Sequence, residues 1–183
     1  MNIKDYMELP EGTRVELIDG KFYDMAATNI LHQKLVLYSA MELSGLSEDK
    51  DKKIFSIAGP LDVQFDDKNV VQPDVIIVCD EKKVTRERII GAPDLIVEVA
   101  TSESEHMDGV VKKELYNKFG VREYWIIFQV EKIVKVLRMG NISESEEYTF
   151  KDKIPVRIWN DDSYVDFEKI YRRIEYLYEL KEK

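Results

Sequence analysis

Hydrophobic and polar positions change their spacing several times along this chain, and each change marks an element. Val15-Glu16-Leu17-Ile18 and Phe22-Tyr23-Asp24-Met25 flank Asp19-Gly20, a tight-turn dipeptide, which predicts a β-hairpin over residues 14–25. From about residue 29 to 44 the spacing lengthens to a helical one. Leu31, Leu35 and Tyr38 mark the stripe, Leu43 and Leu46 continue the burial, Thr28 or Asn29 can cap the start, and Gly45 can end it. Ser47–Lys53 reads as a charged loop. Ile54–Ile57 and Leu61–Phe65 read as short strands around Gly59-Pro60, and Asp66–Asn69 as a turn.

Two apolar runs then dominate, Val70–Val78 and Pro93–Val99. Both are rich in Val and Ile and too short for well-packed helices, so they predict strands buried on both faces near the middle of a sheet. The charged segment between them, 80–91, reads as partly helical. Thr101–Met107 predicts a loop, followed by a helix over 108–119 capped by Asp108 and stopped by Gly120, with Val111, Leu115 and Phe119 facing the core. Arg122–Phe128 and Lys132–Arg138 form a further strand pair. A candidate strand at Ile154–Trp159 and a helix from about Asp166 complete the chain, with no linker or low-complexity stretch. The expectation is one α/β (α+β) domain over residues 1–183, a mixed β-sheet flanked by helices with an N-terminal β-hairpin.

Carboxylates interrupt these apolar runs. Glu98 breaks Leu-Ile-Val-Glu-Val-Ala, and Asp74 follows Pro73 at the opening of the first run. A buried acid is costly unless a donor, a cation or a metal compensates it. Asp74 and Glu98 on neighbouring strands are therefore candidates to share Mg²⁺ (or Mn²⁺), an ion held through hard oxygens and often by only one or two carboxylates. The plainer readings are a Pro-Asp turn for Asp74 and a structural ion pair for Glu98. On the helix after Glu98, Lys112 falls at the edge of the apolar stripe beside Tyr116, while Lys113 points away and reads as solvated. Lys112 could steady an attacking hydroxide or serve only as a residue at the core margin. Glu16 on the hairpin is a third candidate acid. His32 could polarise a substrate or hold Glu16, and His106 ranks below it. No Cys/His zinc spacing, phosphate-cradling glycine loop or nucleophile elbow occurs.

Composition narrows the classes. Hydrophobic content of 44% and charged content of 34% suit a folded globular chain, and no apolar run approaches a membrane span. The start lacks the apolar core of a signal peptide, and the one cysteine, Cys79, reads as a packed thiol, so a cytoplasmic setting is expected. A net charge of −9 argues against a surface covered in phosphate contacts. A local patch remains open, with Lys82, Lys83, Arg86 and Arg88 as candidate substrate contacts; each alone is more simply a solvated charge.

Taken in order, Val15–Gly20, His32-Gln33, Val70–Asp74, Gly91–Val99, Lys112–Tyr116 and Gly120–Trp125 resemble the Uma-type restriction endonuclease family, a branch of the PD-(D/E)XK superfamily, over roughly residues 5–175. The resemblance implies a restriction endonuclease-like fold and makes Asp74 and Glu98 the metal-binding acids. It makes Lys112 the motif lysine, displaced to the following helix because Ala100 stands two positions after Glu98, and Glu16 the extra acid. Ala100-Thr101-Ser102-Glu103 and Ile127-Phe128-Gln129 depart from the family's usual loops without removing a proposed ligand. The expected function is metal-dependent endonuclease cleavage of DNA, by a homodimer if two strands are cut with one site per chain. The alternatives are a binding or assembly module on a nuclease fold, and a small-molecule phosphohydrolase.

Overall fold

The computed structural model describes residues 1–10, 12–50, 54–138, 140, 145–159 and 162–180. Helix α1 (Ile3–Met7) precedes the hairpin β1 (Val15–Ile18) and β2 (Lys21–Asp24), turned at Asp19-Gly20 as expected. Helix α2 spans Ile30–Lys50. It does not stop at Gly45: Ser47 is buried and bonds back to the Leu43 carbonyl at 2.8 Å, so packing on both sides carries the helix through the glycine and through most of the expected loop. The last residues of that expected loop lie outside the described ones.

Strands β3 (Phe55–Ala58), β4 (Val63–Asp66), β5 (Asn69–Val71) and β6 (Val75–Val78) follow, then β7 (Ile89–Ile90), β8 (Leu95–Ala100), β9 (Glu123–Phe128), β10 (Ile133–Arg138), β11 (Ser145–Thr149), β12 (Lys153–Pro155) and β13 (Tyr164–Asp166). A six-stranded sheet runs β11-β10-β9-β8-β6-β3, a five-stranded sheet β2-β1-β5-β4-β7, and β12 pairs with β13. The pair β8/β9 is parallel and its neighbours are antiparallel, giving the mixed sheet expected. Helices α3 (Lys113–Phe119) and α4 (Phe167–Ile174) complete the fold, the second capped by Asp166. The segment 81–83 is 3-10 helix, and Ile154–Trp159 holds a strand only as far as Pro155.

Alternation along β6, β8 and β9 sorts the core into two layers. Val75, Ile77, Leu95, Val97, Trp125 and Ile127 pack with α2 and α4. Ile76, Val78, Ile96, Ala100, Tyr124 and Ile126 face α3 and the five-stranded sheet. Both faces of the six-stranded sheet are thus covered, which explains its near-continuous apolar runs.

The run Val70–Val78 is not one strand. β5 belongs to the five-stranded sheet and β6 to the six-stranded one, and the change occurs at Gln72-Pro73-Asp74. Proline has no N–H for the ladder, so pairing breaks there. The segment β3–β4 crosses alongside it, with Ala58 paired to Val75 and Val63 to Val71. The corner is tight: Gly59 N–H bonds the Asp74 carbonyl at 2.8 Å, and a Cβ on Gly59 would collide with the Pro73 carbonyl oxygen. Among the described residues no helix is long and apolar enough to cross a membrane.

Cys79 follows β6, and its N–H donates to Asp94 Oδ2 at 2.8 Å. Burial, reinforced by the Asp94 carboxylate, pushes its thiol up to about 11. Little thiolate then exists near neutrality, so iodoacetamide should modify Cys79 about a hundredfold more slowly at pH 8 than an unstructured cysteine peptide. Matching rates by mass spectrometry would contradict the packed environment.

Candidate active site

The site grows from the corner where the chain changes sheets. Continuing the Val75–Val97 pairing by one residue sets Asp74 opposite Glu98. Their contacts interlock: Val99 N–H donates to Asp74 Oδ2 at 2.8 Å, and Asp74 N–H approaches Glu98 Oε2 at 3.4 Å. Glu98 occupies the position on β8 that faces α3, so its carboxylate is buried between the two sheets.

Lys112 closes the cluster from above. Its Nζ lies 3.0 Å from Glu98 Oε1, 2.9 Å from Glu16 Oε1 and 3.7 Å from Asp108 Oδ1. The Tyr116 hydroxyl, one turn further on, donates to Glu98 Oε1 at 2.7 Å. Glu16 reaches in from β1 and also accepts the Gln72 N–H at 2.8 Å, which ties the hairpin to the sheet-changing corner. His32, near the start of α2, places Nε2 3.2 Å from Asp74 Oδ2. It holds Asp74, not Glu16 as one sequence reading had it. Its Nδ1 is buried with no hydrogen-bond partner among the described residues.

Asp108 is not a helix cap. Residues Met107–Lys112 form a π-helical stretch leading into α3, and Asp108 lies buried inside it, within reach of the lysine four residues on. Sequence reasoning passed over its role and that of Tyr116. The spacing Asp108, Lys112, Tyr116, four and four, was the available signal, because it stacks all three on one helix face.

Electrostatics follow from the imbalance. Burial would lower Lys112, but Glu16, Glu98 and Asp108 outweigh it and hold the ammonium well above its usual range. Burial pushes Glu98 well above the usual carboxylate range; Lys112 offsets part of this, and Asp108, Asp74 and Glu16 add to it. Burial likewise raises Asp108 and the Tyr116 hydroxyl. Three carboxylates surround the one ammonium and a fourth, Asp74, adjoins Glu98, and such a surplus is what a divalent cation would offset. Every donor in it is a hard oxygen, which suits Mg²⁺ or Mn²⁺. Asp74 is the open member, its side chain 22% exposed against 4% for Glu98, and no described residue donates to its Oδ1. Among the described residues no group of three or more His, Cys, Asp or Glu is disposed to hold a metal by itself.

The remaining candidates lie apart. Lys83 Nζ bonds the Ala92 carbonyl at 2.8 Å, Arg88 lies against Gln64 and Glu87, and Lys82 and Arg86 are exposed without side-chain partners among the described residues. None of the four touches the carboxylates. Lys113 is half-buried and His106 is exposed.

The model of the family Uma2, described as "Putative restriction endonuclease", matches residues 3–158. Among solved structures, one described as a putative nuclease belonging to DUF820 from Anabaena variabilis superposes with a TM-score of 0.77 at 17% identity, covering 94% of this chain and 98% of that one. At that identity the likeness speaks for the fold. No curated protein matches the chain.

Removing the ammonium leaves buried acids uncompensated. Lys112→Met should destabilise the fold by about 3–5 kcal/mol near pH 7 in urea denaturation. Lys112 lowers both Glu98 and Asp108, so its loss raises them further above their unfolded values, and the variant should regain stability as pH falls towards 5. Tyr116→Phe should cost about 1–2 kcal/mol. A Lys112→Met variant as stable as the wild type would mean that the cluster is not buried as described.

Proposed function

The chain belongs to the Uma2 family of restriction endonuclease-like proteins, and we propose that it is a divalent-metal-dependent endonuclease of the PD-(D/E)XK type acting on DNA phosphodiesters. The observation that carries this reading is the convergence on Glu98 of Asp74 from the facing strand and of Lys112 from the following helix, with the ammonium 3.0 Å from Glu98 Oε1. Asp74 and Glu98 would hold Mg²⁺ or Mn²⁺, which would supply an acidic water and neutralise charge on the phosphoryl group.

The protein's own residues have separable tasks. The ladder beside β8 fixes Asp74 through Val99 N–H, and His32 holds the same oxygen from the other side, which leaves Oδ1 free to bind. Tyr116 and Lys112 both bond Glu98 Oε1, which turns Oε2 towards Asp74. Lys112 keeps a fixed positive charge beside the acids, where it can orient a water and stabilise developing negative charge. Glu16 and Asp108 hold that ammonium in place from two further directions. Lys82, Lys83, Arg86 and Arg88 stay as outlying phosphate contacts in this reading. A homodimer, one site per chain, would suit cleavage of both strands.

A second reading, a binding or assembly module on the same fold, draws on one specific observation. Lys112 is already engaged by three carboxylates and Glu98 Oε1 by two donors, so these two groups are satisfied without any ligand.

Plasmid incubated with the purified chain and Mg²⁺ or Mn²⁺ separates the two. Wild type should nick DNA, and Asp74→Asn, Glu98→Gln and Lys112→Ala should each lose on the order of a hundredfold or more. Equal nicking by all four proteins would mean contamination and sink the assignment. Calorimetry gives an independent reading: Mn²⁺ should bind wild type, Glu98→Gln should abolish binding, and His32→Ala should weaken it roughly 10–100-fold. Absent Mn²⁺ binding in a folded wild type would favour the assembly module.

A further inference from the structure

Helix α2 buries Leu35, Val36 and Leu43 against the six-stranded sheet, and its opposite face is also apolar. Ile30 is 67% exposed, Leu37 46% and Met41 51%, an arrangement unusual for the outer face of a helix in water. Gly45 continues the same stripe. It lies inside the helix, where glycine is a poorer helix former than alanine, and a Cβ there would meet nothing within 4 Å. Nothing among the described residues requires this glycine.

The spacing of the stripe is the same in both directions about its centre. Lys34, Leu37, Met41, Gly45 and Glu48 stand at −7, −4, 0, +4 and +7 about Met41, all within roughly 40° of one line on the helix surface. Lys34 and Glu48, at equal distances from the centre, carry opposite charges. Neither forms an ion pair among the described residues: Lys34 lies over the Tyr38 ring, and Glu48 accepts only from Ser44 of its own helix.

We propose that this face pairs with a second copy of the chain, α2 against α2 in antiparallel order, with a two-fold axis at Met41. Each Leu37 then seats over the partner helix at the position of its glycine, whose missing side chain lets the helices approach closely. Each Lys34 meets the glutamate at position 48 of the other copy, and the two Met41 side chains meet on the axis. The self-complementary order of charge and bulk is what a two-fold contact demands. His32 lies on the opposite side of α2 against Asp74, so the pairing leaves the carboxylate cluster uncovered, and it holds whether or not that cluster cleaves DNA.

Sedimentation of the full chain over a concentration series tests this, with a melting curve for each variant to show that it folds. Wild type should move from one chain to two as concentration rises. Met41→Lys, Lys34→Glu and Glu48→Lys should each weaken association by roughly tenfold or more, and the double exchange Lys34→Glu with Glu48→Lys should restore it. Gly45→Gln should melt higher, being a better helix former in open space, and yet associate less. A chain that stays monomeric at every concentration overturns the proposal, even if another partner then binds this face. So does a dimer indifferent to Met41→Lys, or a double exchange no better than its single changes.

Discussion

The structure depends most on one ammonium group shared among carboxylates from three places. Lys112 bonds Glu16 on the hairpin and Glu98 on the central strand, and lies 3.7 Å from Asp108 on its own helix. The hairpin belongs to the five-stranded sheet and Glu98 to the six-stranded one, so a single side chain links both sheets to the segment that runs into α3. Burying these charges is costly, and their mutual attraction offsets that cost only when every partner is in place. The cluster therefore specifies geometry more than it adds net stability.

Much of this was legible in the sequence. The hairpin announced itself through Asp19-Gly20, the buried sheet through its Val/Ile runs, and the lysine through its phase on a helix beginning near residue 108. Glu98 stood out because an acid in a doubly buried strand needs a reason. The misses share a cause, which is that they were settled by contacts across the fold. Val70–Val78 read as one strand through Pro73, and only the pairing of β4 with β5 and of β3 with β6 shows that the chain changes sheets there. Gly45 is an ordinary stop signal, overridden because Leu43 and Ser47 are buried on either side of it. Asp108 has the chemistry of a cap and lies one turn before a lysine. Burial decided between those uses, and burial is invisible to local reading.

The double crossing also explains why acids can gather at this corner. Where β5 ends and β6 begins, ladder pairing lapses, and backbone N–H groups of Gln72 and Asp74 turn to carboxylates, Glu16 and Glu98. A regular strand would have directed those donors to neighbouring backbone. The irregularity forced by Pro73 thus provides hydrogen bonds that make buried carboxylates tolerable, and the sheets on either side hold them rigidly. Glu16 and Glu98 lie within strands themselves, and their donors come from this corner and from the helical segment that faces it.

Helix α2 links the site to the exterior. One of its faces carries His32 to Asp74 and packs Leu35, Val36 and Leu43 on the sheet, while the other bears the symmetric apolar stripe. A helix apolar on two faces is not optimised for either one in a lone chain, since each exposed apolar group loses the gain that burial would give. Its inner face is accounted for by the core and by the histidine. Among the described residues the outer face has no such account, and the glycine that weakens the helix at position 45 has none either. A surface that places bulk opposite a gap and cation opposite anion about its own centre satisfies both demands once two copies meet.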